Sequence, residues 1–333
     1  MFFARYNKKK SLMCLIMLTA VLFSSCTQKY EQNTYFALDT YIMTNLPPDK
    51  DSGLSDCINA LEKKLSKTYE GGELYNLNSG IEQTVSEELY ELIERSVQIS
   101  ESTGGAFDVT LGNVTSLWDF KSEKATVPDD ESVKNALTSS GYEKLKLQDG
   151  KIILNSAKID LGGIAKGYIA QKCVEYLHGQ NVHTGFISLG GNIAVVGAKS
   201  NGEKWNIALK DPLNTNKTVG QLKADSGYIS VSGDYERYFE YDGKRYHHII
   251  DPKNGMPADN GIASVMVYSD DGALSDALST ALFVMGLEQA LEFYEKNIFD
   301  YDAIIITKER YIYVSDGIED VFTLTSDEYV AAQ

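Results

Sequence analysis

The chain has 333 residues, with 31 Lys and Arg against 47 Asp and Glu, for a formal charge of −16. An acid excess of this size excludes a nucleic-acid backbone as the principal partner, because phosphates need a basic face. Small anionic substrates would need local help, from a metal ion or from oriented backbone dipoles.

The first residues read as a targeting segment. Arg5, Lys8, Lys9 and Lys10 make a basic head, and SLMCLIMLTAVLF is an apolar run too short for a comfortable membrane span. The run ends in LFSSC, which resembles a bacterial lipobox with Phe23 where Leu is usual. This predicts a signal peptide over 1–25, lipidation at Cys26, and an extracytoplasmic protein held to the bacterial cell membrane by a lipid anchor. An ordinary signal peptide or a retained anchor is the alternative. Removing residues 1–25 takes away four positive charges and no negative ones, leaving a charge of −20. Residues 26–34 read as a polar tether and 35–333 as the domain. Cys57 and Cys173 fall in helical patterns and read as core packing, with a disulfide between them as the lesser alternative. No Cys or His spacing suits zinc.

Along the domain, YFALDTYIMTNL is strand-like. Asp51 to Tyr69 carries Leu54, Ile58, Leu61 and Leu65 at helical spacing. SEELYELIERSVQISESTGG is a second helix, capped by Ser86 and ended at Gly104. PDDESVKNAL opens a third. KLKLQDGKIILN reads as a hairpin around Asp149-Gly150. A strand ending at Asp160 then leads through two glycines into a helix carrying Ile169, Cys173 and Leu177. Strand runs follow: GFISLGGNIAVVG, WNIALKDP, GYISVSGDYERYFEYDGKRYHHII and IASVMVYS. One long helix is expected from near Ala273 through LEFYEKN, and YDAIIITK and RYIYVSD are the last strands. The mixed element order predicts an α+β fold of largely antiparallel sheets packed with helices.

Three stretches could carry chemistry. In DLGGIAKGYIA, Asp160 to Ala170, the glycines leave backbone open and the helix start offers free N–H groups, with Lys166 one turn in. That is a candidate anion site, or simply a tight turn. In ALSDALSTALFVMG, Asp276 and Thr280 share a helix face with Ser279 beside them. Polar groups inside so apolar a helix need partners, and a hard cation such as Mg2+ could supply one. Alternatively, Ser275 or Asp276 is an N-terminal cap. In STGGAFDVTLG the glycines follow from a helix end, but the Phe107-Asp108 pair does not.

STGGAFDVTLG, DLGGIAKGYIA, SLGGNIAVVG, VSGDYERYFEYDGKRYHHIIDPKNGMP and SDALSTALFVMG occur in this order. Together they resemble the ApbE family of FAD:protein FMN transferases. The resemblance implies a T-fold-like α+β fold and Mg2+-dependent transfer of FMN from FAD to a Thr or Ser hydroxyl of a partner flavoprotein, with release of AMP. It implies acceptors with an Asp-x-x-Ser/Thr-Gly-Ala/Thr-like motif, such as membrane redox complex subunits. Carried over by position, Asp276, Ser279, Thr280 and the carbonyl of Gly163 match metal ligands. Leu38, Tyr69, Ala106, Phe107, Asp108, Asp160, Lys166 and Ile250 match FAD contacts. His248 matches the His of the H-x-I-D-P motif and is the candidate base, with Asp251 or Asp108 to orient it or to replace it. His247 has no role.

Departures from the family pattern are Leu38-Asp39-Thr40 for Met-Gly-Thr, Val231-Ser232-Gly233 for Thr-Ser-Gly, and Asn254 for Thr before Gly255. The rival functions are an FAD pyrophosphatase with water as acceptor, a flavin-holding lipoprotein without catalysis, and a generic solute-binding lipoprotein.

Overall fold

The computed structural model describes residues 30–81, 83–120 and 125–332, so the signal segment and Cys26 lie outside the described residues. A nine-stranded sheet forms the frame. Its spatial order is Glu31–Ala37, Thr40–Leu46, Gly185–Leu189, Asn192–Gly197, Gly227–Gly233, Ile262–Ser269, Asp302–Thr307, Tyr311–Val314 and Val330–Ala332. Every neighbouring pair is antiparallel except the last, Tyr311–Val314 with Val330–Ala332. A three-stranded sheet of Trp205–Lys210, Thr218–Ala224 and Phe322–Leu324 covers part of one face. Two hairpins, Lys146–Gln148 with Lys151–Ile153 and Tyr238–Tyr241 with Lys244–His247, stand apart from both.

Side-chain alternation explains the layering. Along Asn192–Gly197, Ala194 and Val196 face the helices while Val195 joins the small sheet. Val265 and Val267 face the helices and Met266 the small sheet; Ile305 and its neighbours Ile304 and Ile306 divide the same way. The frame is therefore buried on both faces, as its apolar central strands require. Helices Leu54–Leu65, Glu87–Ser102, Ala165–Gly179 and Gly272–Met285 contribute to the larger core. Among the described residues, no helix is long and apolar enough to cross a membrane.

The glycine-turn helix, Ala165–Gly179, and the late helix, Gly272–Met285, meet backbone to backbone. A methyl group on Gly167 would lie 1.9 Å from the Gly272 carbonyl oxygen and 2.7 Å from Asp276 Cβ; one on Gly272 would lie 2.4 Å from the Gly167 oxygen. Only glycine at both positions permits this approach.

Several local readings hold. Ser86 accepts from Leu89 N at 3.4 Å and caps its helix, and Ile169, Cys173 and Leu177 are buried. The Asp149-Gly150 turn has positive φ at both residues, 51° and 71°, the turn that two-residue hairpins favour. Other readings are corrected. The expected long helix breaks at Gly286, where φ 78° and ψ 167° cannot continue a helix, into Gly272–Met285 and Leu287–Glu295. Asn260 Nδ2 donates to the carbonyls of Phe283 (2.7 Å) and Val284 (3.2 Å), satisfying the freed helix end. Before Asp160 there is no strand, only an isolated bridge of Leu111 with Lys158. The first strand starts at Glu31, inside the segment read as tether. Helices Glu73–Asn78 and Gly112–Trp118 and strands Thr218–Ala224, Phe322–Leu324 and Val330–Ala332 carried no clear sequence signal. Cys57 and Cys173 are free thiols.

Gly167→Ala is expected to destabilise the fold by about 3 kcal/mol through overpacking. Gly179→Ala, whose added carbon meets nothing within 4 Å, is expected to stabilise by up to about 1 kcal/mol. Urea unfolding of the two variants checks both.

Candidate active site

The late helix is apolar nearly all round, with Asp271 as its N-cap, accepting from Leu274 N at 3.0 Å. Neither Ser275 nor Asp276 is a cap. Ser275 and Ser279 instead pair with strand Gly227–Gly233: Ser230 Oγ lies 2.8 Å from Ser275 Oγ, and Ser232 Oγ 2.8 Å from Ser279 Oγ. Two residues along a strand thus match four along a helix, and the buried hydroxyls are satisfied. Ser279 also donates to the Asp276 carbonyl at 2.8 Å. Thr280 Oγ1 is 3.4 Å from Ser232 Oγ.

Asp276 is buried at 5% exposure. Its Oδ2 accepts from Gly167 N at 2.9 Å, in the first turn of the glycine-turn helix, where the helix dipole favours an anion. The glycine contact between the helices makes this bond possible. With its amide turned to satisfy both ends, Asn192 donates to Asp276 Oδ1 (3.2 Å) and Ser230 Oγ (2.5 Å) and accepts from Lys166 Nζ (3.0 Å). Burial pushes the Asp276 carboxyl up, against the pull of Lys166 and the Gly167 N–H. Gly163 adjoins both Phe107 and Thr280: a methyl group there would lie 3.3 Å from Phe107 Cε2 and 3.4 Å from Thr280 Oγ1.

Asp160 anchors the same turn. Its Oδ2 accepts from Lys67 Nζ (2.6 Å) and Thr115 Oγ1 (2.7 Å), and its Oδ1 from Gly162 N (2.9 Å). Burial pushes its carboxyl up, but the Lys67 charge and these donors outweigh it and hold it below the ordinary value. Asp108 is tied into its own loop, accepting from Thr110 N and Oγ1 (2.8 and 2.6 Å) and Tyr142 N (3.1 Å). Burial pushes its carboxyl up.

His248 follows the hairpin Tyr238–His247. Its N–H donates to the Arg237 carbonyl at 3.0 Å, and its Nδ1 lies 3.3 Å from the same oxygen. A carbonyl can only accept, so Nδ1 carries the ring proton and Nε2 keeps its lone pair. Burial, then the charges of Lys166 and Arg237, lower its pKa to about 3. The imidazole is neutral at pH 7. Neither expected carboxylate orients it: Asp251 accepts from Lys253 N (2.9 Å) and Asn254 Nδ2 (3.2 Å) within its own turn, and Asp108 is engaged as above. The Arg237 carbonyl does so. His247 is buried edge-on against Phe283, with Nε2 2.9 Å from the Ala258 carbonyl, and serves the core.

The remaining residues lie around these. Leu38 and Asp39 form the turn of the first hairpin with φ 55° and 56°, which explains why a glycine is usual where Asp39 stands. Leu38 N donates to Glu62 Oε1 at 3.0 Å, and Arg237 Nη2 reaches the Asp39 carbonyl at 3.4 Å. Ala106 is buried, Ile250 packs with Trp118, and Tyr69 is 46% exposed with Lys63 over its ring. A cleft of about 420 Å³ opens beside the Leu38-Asp39 turn, lined by Phe36, Asp39, Phe120, Glu236, Arg237 and Tyr238.

A family model described as the ApbE family matches residues 32–305. The chain belongs to the ApbE family. It is 34% identical over 254 residues to an FAD:protein FMN transferase of Treponema pallidum, covering 71% of this chain and 70% of that one. It is 36% identical over 237 residues to one of Klebsiella pneumoniae, covering 70% and 73%. A crystal structure of the ApbE protein of Thermotoga maritima matches with TM-score 0.80 and 33% identity, over 87% of this chain and 98% of that one. The flavin transferase ApbE of Vibrio cholerae matches with TM-score 0.75 and 25% identity, over 91% and 98%. Membership of the ApbE family makes this chain an enzyme of the transferase class.

In this ApbE chain the folding brings Asp276, Lys166, Gly163, Phe107 and Thr280 into one neighbourhood, with His248 close enough to feel the Lys166 charge. Four contributors escaped the sequence reading: Lys67, Asn192, Arg237 and Glu236. Asn192 ends SLGGN, and Glu236 and Arg237 sit inside GDYERYF, so motifs marked the regions without marking the side chains.

The folded pKa values of His247 (about 4, lowered chiefly by burial) and His248 (about 3) lie below the ordinary 6.5. Between pH 6.5 and about 4 the unfolded chain binds more protons, so stability falls with falling pH through that window and recovers above it. Nitrogen-15 NMR at pH 5 is expected to find both rings neutral, with the proton of His248 on Nδ1.

Proposed function

We propose that this chain is a Mg2+-dependent FAD:protein FMN transferase, with a T-fold-like domain over 35–333, lipid-anchored through Cys26 outside a bacterial cell membrane after loss of residues 1–25. It moves FMN from FAD to a Ser or Thr hydroxyl of a partner flavoprotein as a phosphoester and releases AMP. The partners carry an Asp-x-x-Ser/Thr-Gly-Ala/Thr-like motif, as membrane redox complex subunits would. The observation that carries this reading is a neutral His248 with Nε2 open, close to the Lys166–Asn192–Asp276 cluster, in a member of the ApbE family.

The donor set suits a hard cation. Asp276, Thr280, Ser279 and the Gly163 carbonyl offer only oxygen. Asp276 Oδ2 accepts from Gly167 N and Oδ1 from Asn192, with the Lys166 backbone also donating to the carboxylate, and its buried charge is only partly offset by Lys166. Among the described residues there is no group of three or more His, Cys, Asp or Glu placed to hold a metal, so substrate phosphate oxygens would have to complete the shell of a bound Mg2+. Mg2+, when bound, would neutralise the pyrophosphate and the departing AMP phosphate.

The chain's own residues do the rest. Lys166 and the positive end of the glycine-turn helix dipole hold phosphate charge; the first-turn N–H groups of Ala165, Gly167 and Tyr168 are taken up by Leu161 O, Asp276 Oδ2 and Ile164 O. Leu38, Tyr69, Ala106, Phe107, Asp108, Asp160 and Ile250 contact the nucleotide. His248 Nε2 takes the proton of the acceptor hydroxyl while Nδ1–H stays on the Arg237 carbonyl, which steadies the imidazolium that forms. The new P–O bond forms in line with the one that breaks to AMP, and positioning supplies most of the acceleration.

The test incubates the protein with FAD, Mg2+ and a protein bearing the acceptor motif, and reads flavin fluorescence on a denaturing gel together with AMP. Labelled acceptor is expected. His248→Ala should lower transfer by about 100-fold or more, and Asp276→Ala should abolish Mg2+-dependent FAD turnover. Unchanged transfer in either variant removes that residue's role. AMP and free FMN without labelled protein indicate the pyrophosphatase, and no product indicates a flavin holder.

A further inference from the structure

Two nucleophilic side chains have no part in the chemistry above. Cys57 lies in the first turn of helix Leu54–Leu65, and Cys173 lies midway along the glycine-turn helix, Ala165–Gly179. These helices run antiparallel past each other, and contacts on either side of the cysteines fix their register. On one side, Tyr176 Oη donates to the Ser52 carbonyl at 3.2 Å, and a methyl group on Gly53 would lie 2.3 Å from that hydroxyl. On the other, Lys64 and Tyr168 hold the two oxygens of one carboxylate, Glu88, with Tyr168 Oη at 3.0 Å. Between these contacts, about one helical turn in from Gly53 and from Tyr176, stand Cys57 and Cys173. Their thiols meet there, hydrogen-bonded side chain to side chain.

The pair is asymmetric in the way that thiol–disulfide exchange uses. Cys173 is fully buried in the larger core, whereas Cys57 is half-buried and keeps a face toward solvent. The hydrogen bond with Cys173 lowers the Cys57 thiol to about 7, and the same bond pushes the Cys173 thiol up. The accessible, more acidic sulfur is the one that attacks, and the buried one resolves. We propose that Cys57 and Cys173 are a redox pair that closes to a disulfide and clasps helix Leu54–Leu65 to the glycine-turn helix.

The oxidant is a second disulfide, that of a small dithiol compound or of a disulfide-donating protein. The Cys57 thiolate attacks one of its sulfurs, forms a mixed disulfide and expels the other sulfur as a thiolate. Cys173 then attacks Cys57 Sγ and expels the remaining thiolate. One disulfide is reduced to two thiols while one is formed in the chain, and the two protons lost by the cysteines end on the departing thiols. The bond closes a loop of more than a hundred residues that includes Phe107, Asp160 and Lys166. Cross-linking so long a loop stabilises a fold chiefly by constraining the unfolded chain. Outside the membrane, where the lipobox reading puts this chain, such bonds persist.

The test treats the reduced full chain with oxidised glutathione, blocks the remaining thiols with iodoacetamide, and maps tryptic peptides by mass without reduction. The peptides carrying Cys57 and Cys173 are expected to be joined within one chain. The urea midpoint is expected to rise by about 1 M over the reduced chain, and dithiothreitol should reverse both changes. Cys57→Ser should give neither the joined peptide nor the shift. Both cysteines recovered in alkylated form, Cys57 found only as its mixed disulfide with glutathione, or a link between two chains would each overturn the assignment. None of these readouts needs FAD or an acceptor, so the clasp and the transferase reading fail separately.

Discussion

The close approach of Gly167 to Gly272 is the constraint on which the site depends. Two helices from sequence positions more than 100 residues apart touch through their backbones. That contact lets the carboxylate of Asp276, one turn into the late helix, reach the free N–H of Gly167 in the opening turn of the other. Any side chain at either glycine would separate the helices. Asp276, Lys166 and Gly163 would then no longer face a common point. The buried serine pairs beside Asp276 on the late helix set its rotation, so its polar residues address the strand and the glycine turn together.

The charge arrangement follows from this. The chain as a whole is strongly acidic, yet within the site Lys166, Arg237 and the helix start make a small region of positive potential. Lys67 is absorbed by Asp160 and fixes the turn instead of adding to that region. Burial keeps His248 neutral, and the same field adds to it, because a second positive charge beside Lys166 and Arg237 is disfavoured. One arrangement thus serves two ends: it favours bound anions and preserves a lone pair on the imidazole.

What could be read in the sequence was local. The Ser86 cap, the Asp149-Gly150 turn, the apolar stripe through Ile169 and the polar face of the late helix depend on residues a few positions apart. Family motifs then marked the glycine turn, the late helix and the His248 segment. The break at Gly286 was missed because its cause is Asn260, which lies on a different element and takes the helix-end carbonyls. Lys67 with Asp160 and Asn192 with Asp276 are pairings across roughly a hundred residues, set by sheet order and helix packing rather than by any periodicity. The wrong orienter for His248 has the same origin: Asp251 is adjacent in sequence, but the Asx turn consumes its carboxylate.

The frame has a property that bears on how the chain comes to its native state. Its nine strands lie side by side in the order in which they occur along the polypeptide, from Glu31–Ala37 at one edge to Val330–Ala332 at the other. Each strand after the first docks on one that has already left its source. A chain delivered N-terminus first, whether from a ribosome or a translocation channel, can extend the sheet at a single growing edge with no need to thread a later strand between earlier ones. The longest excursion from the sheet, between Leu46 and Gly185, holds the Leu54–Leu65 and glycine-turn helices, whose packing closes the face behind the growing edge. The late helix arrives after the strands it covers, so the Gly167–Gly272 contact forms late and catalytic geometry is among the final features acquired.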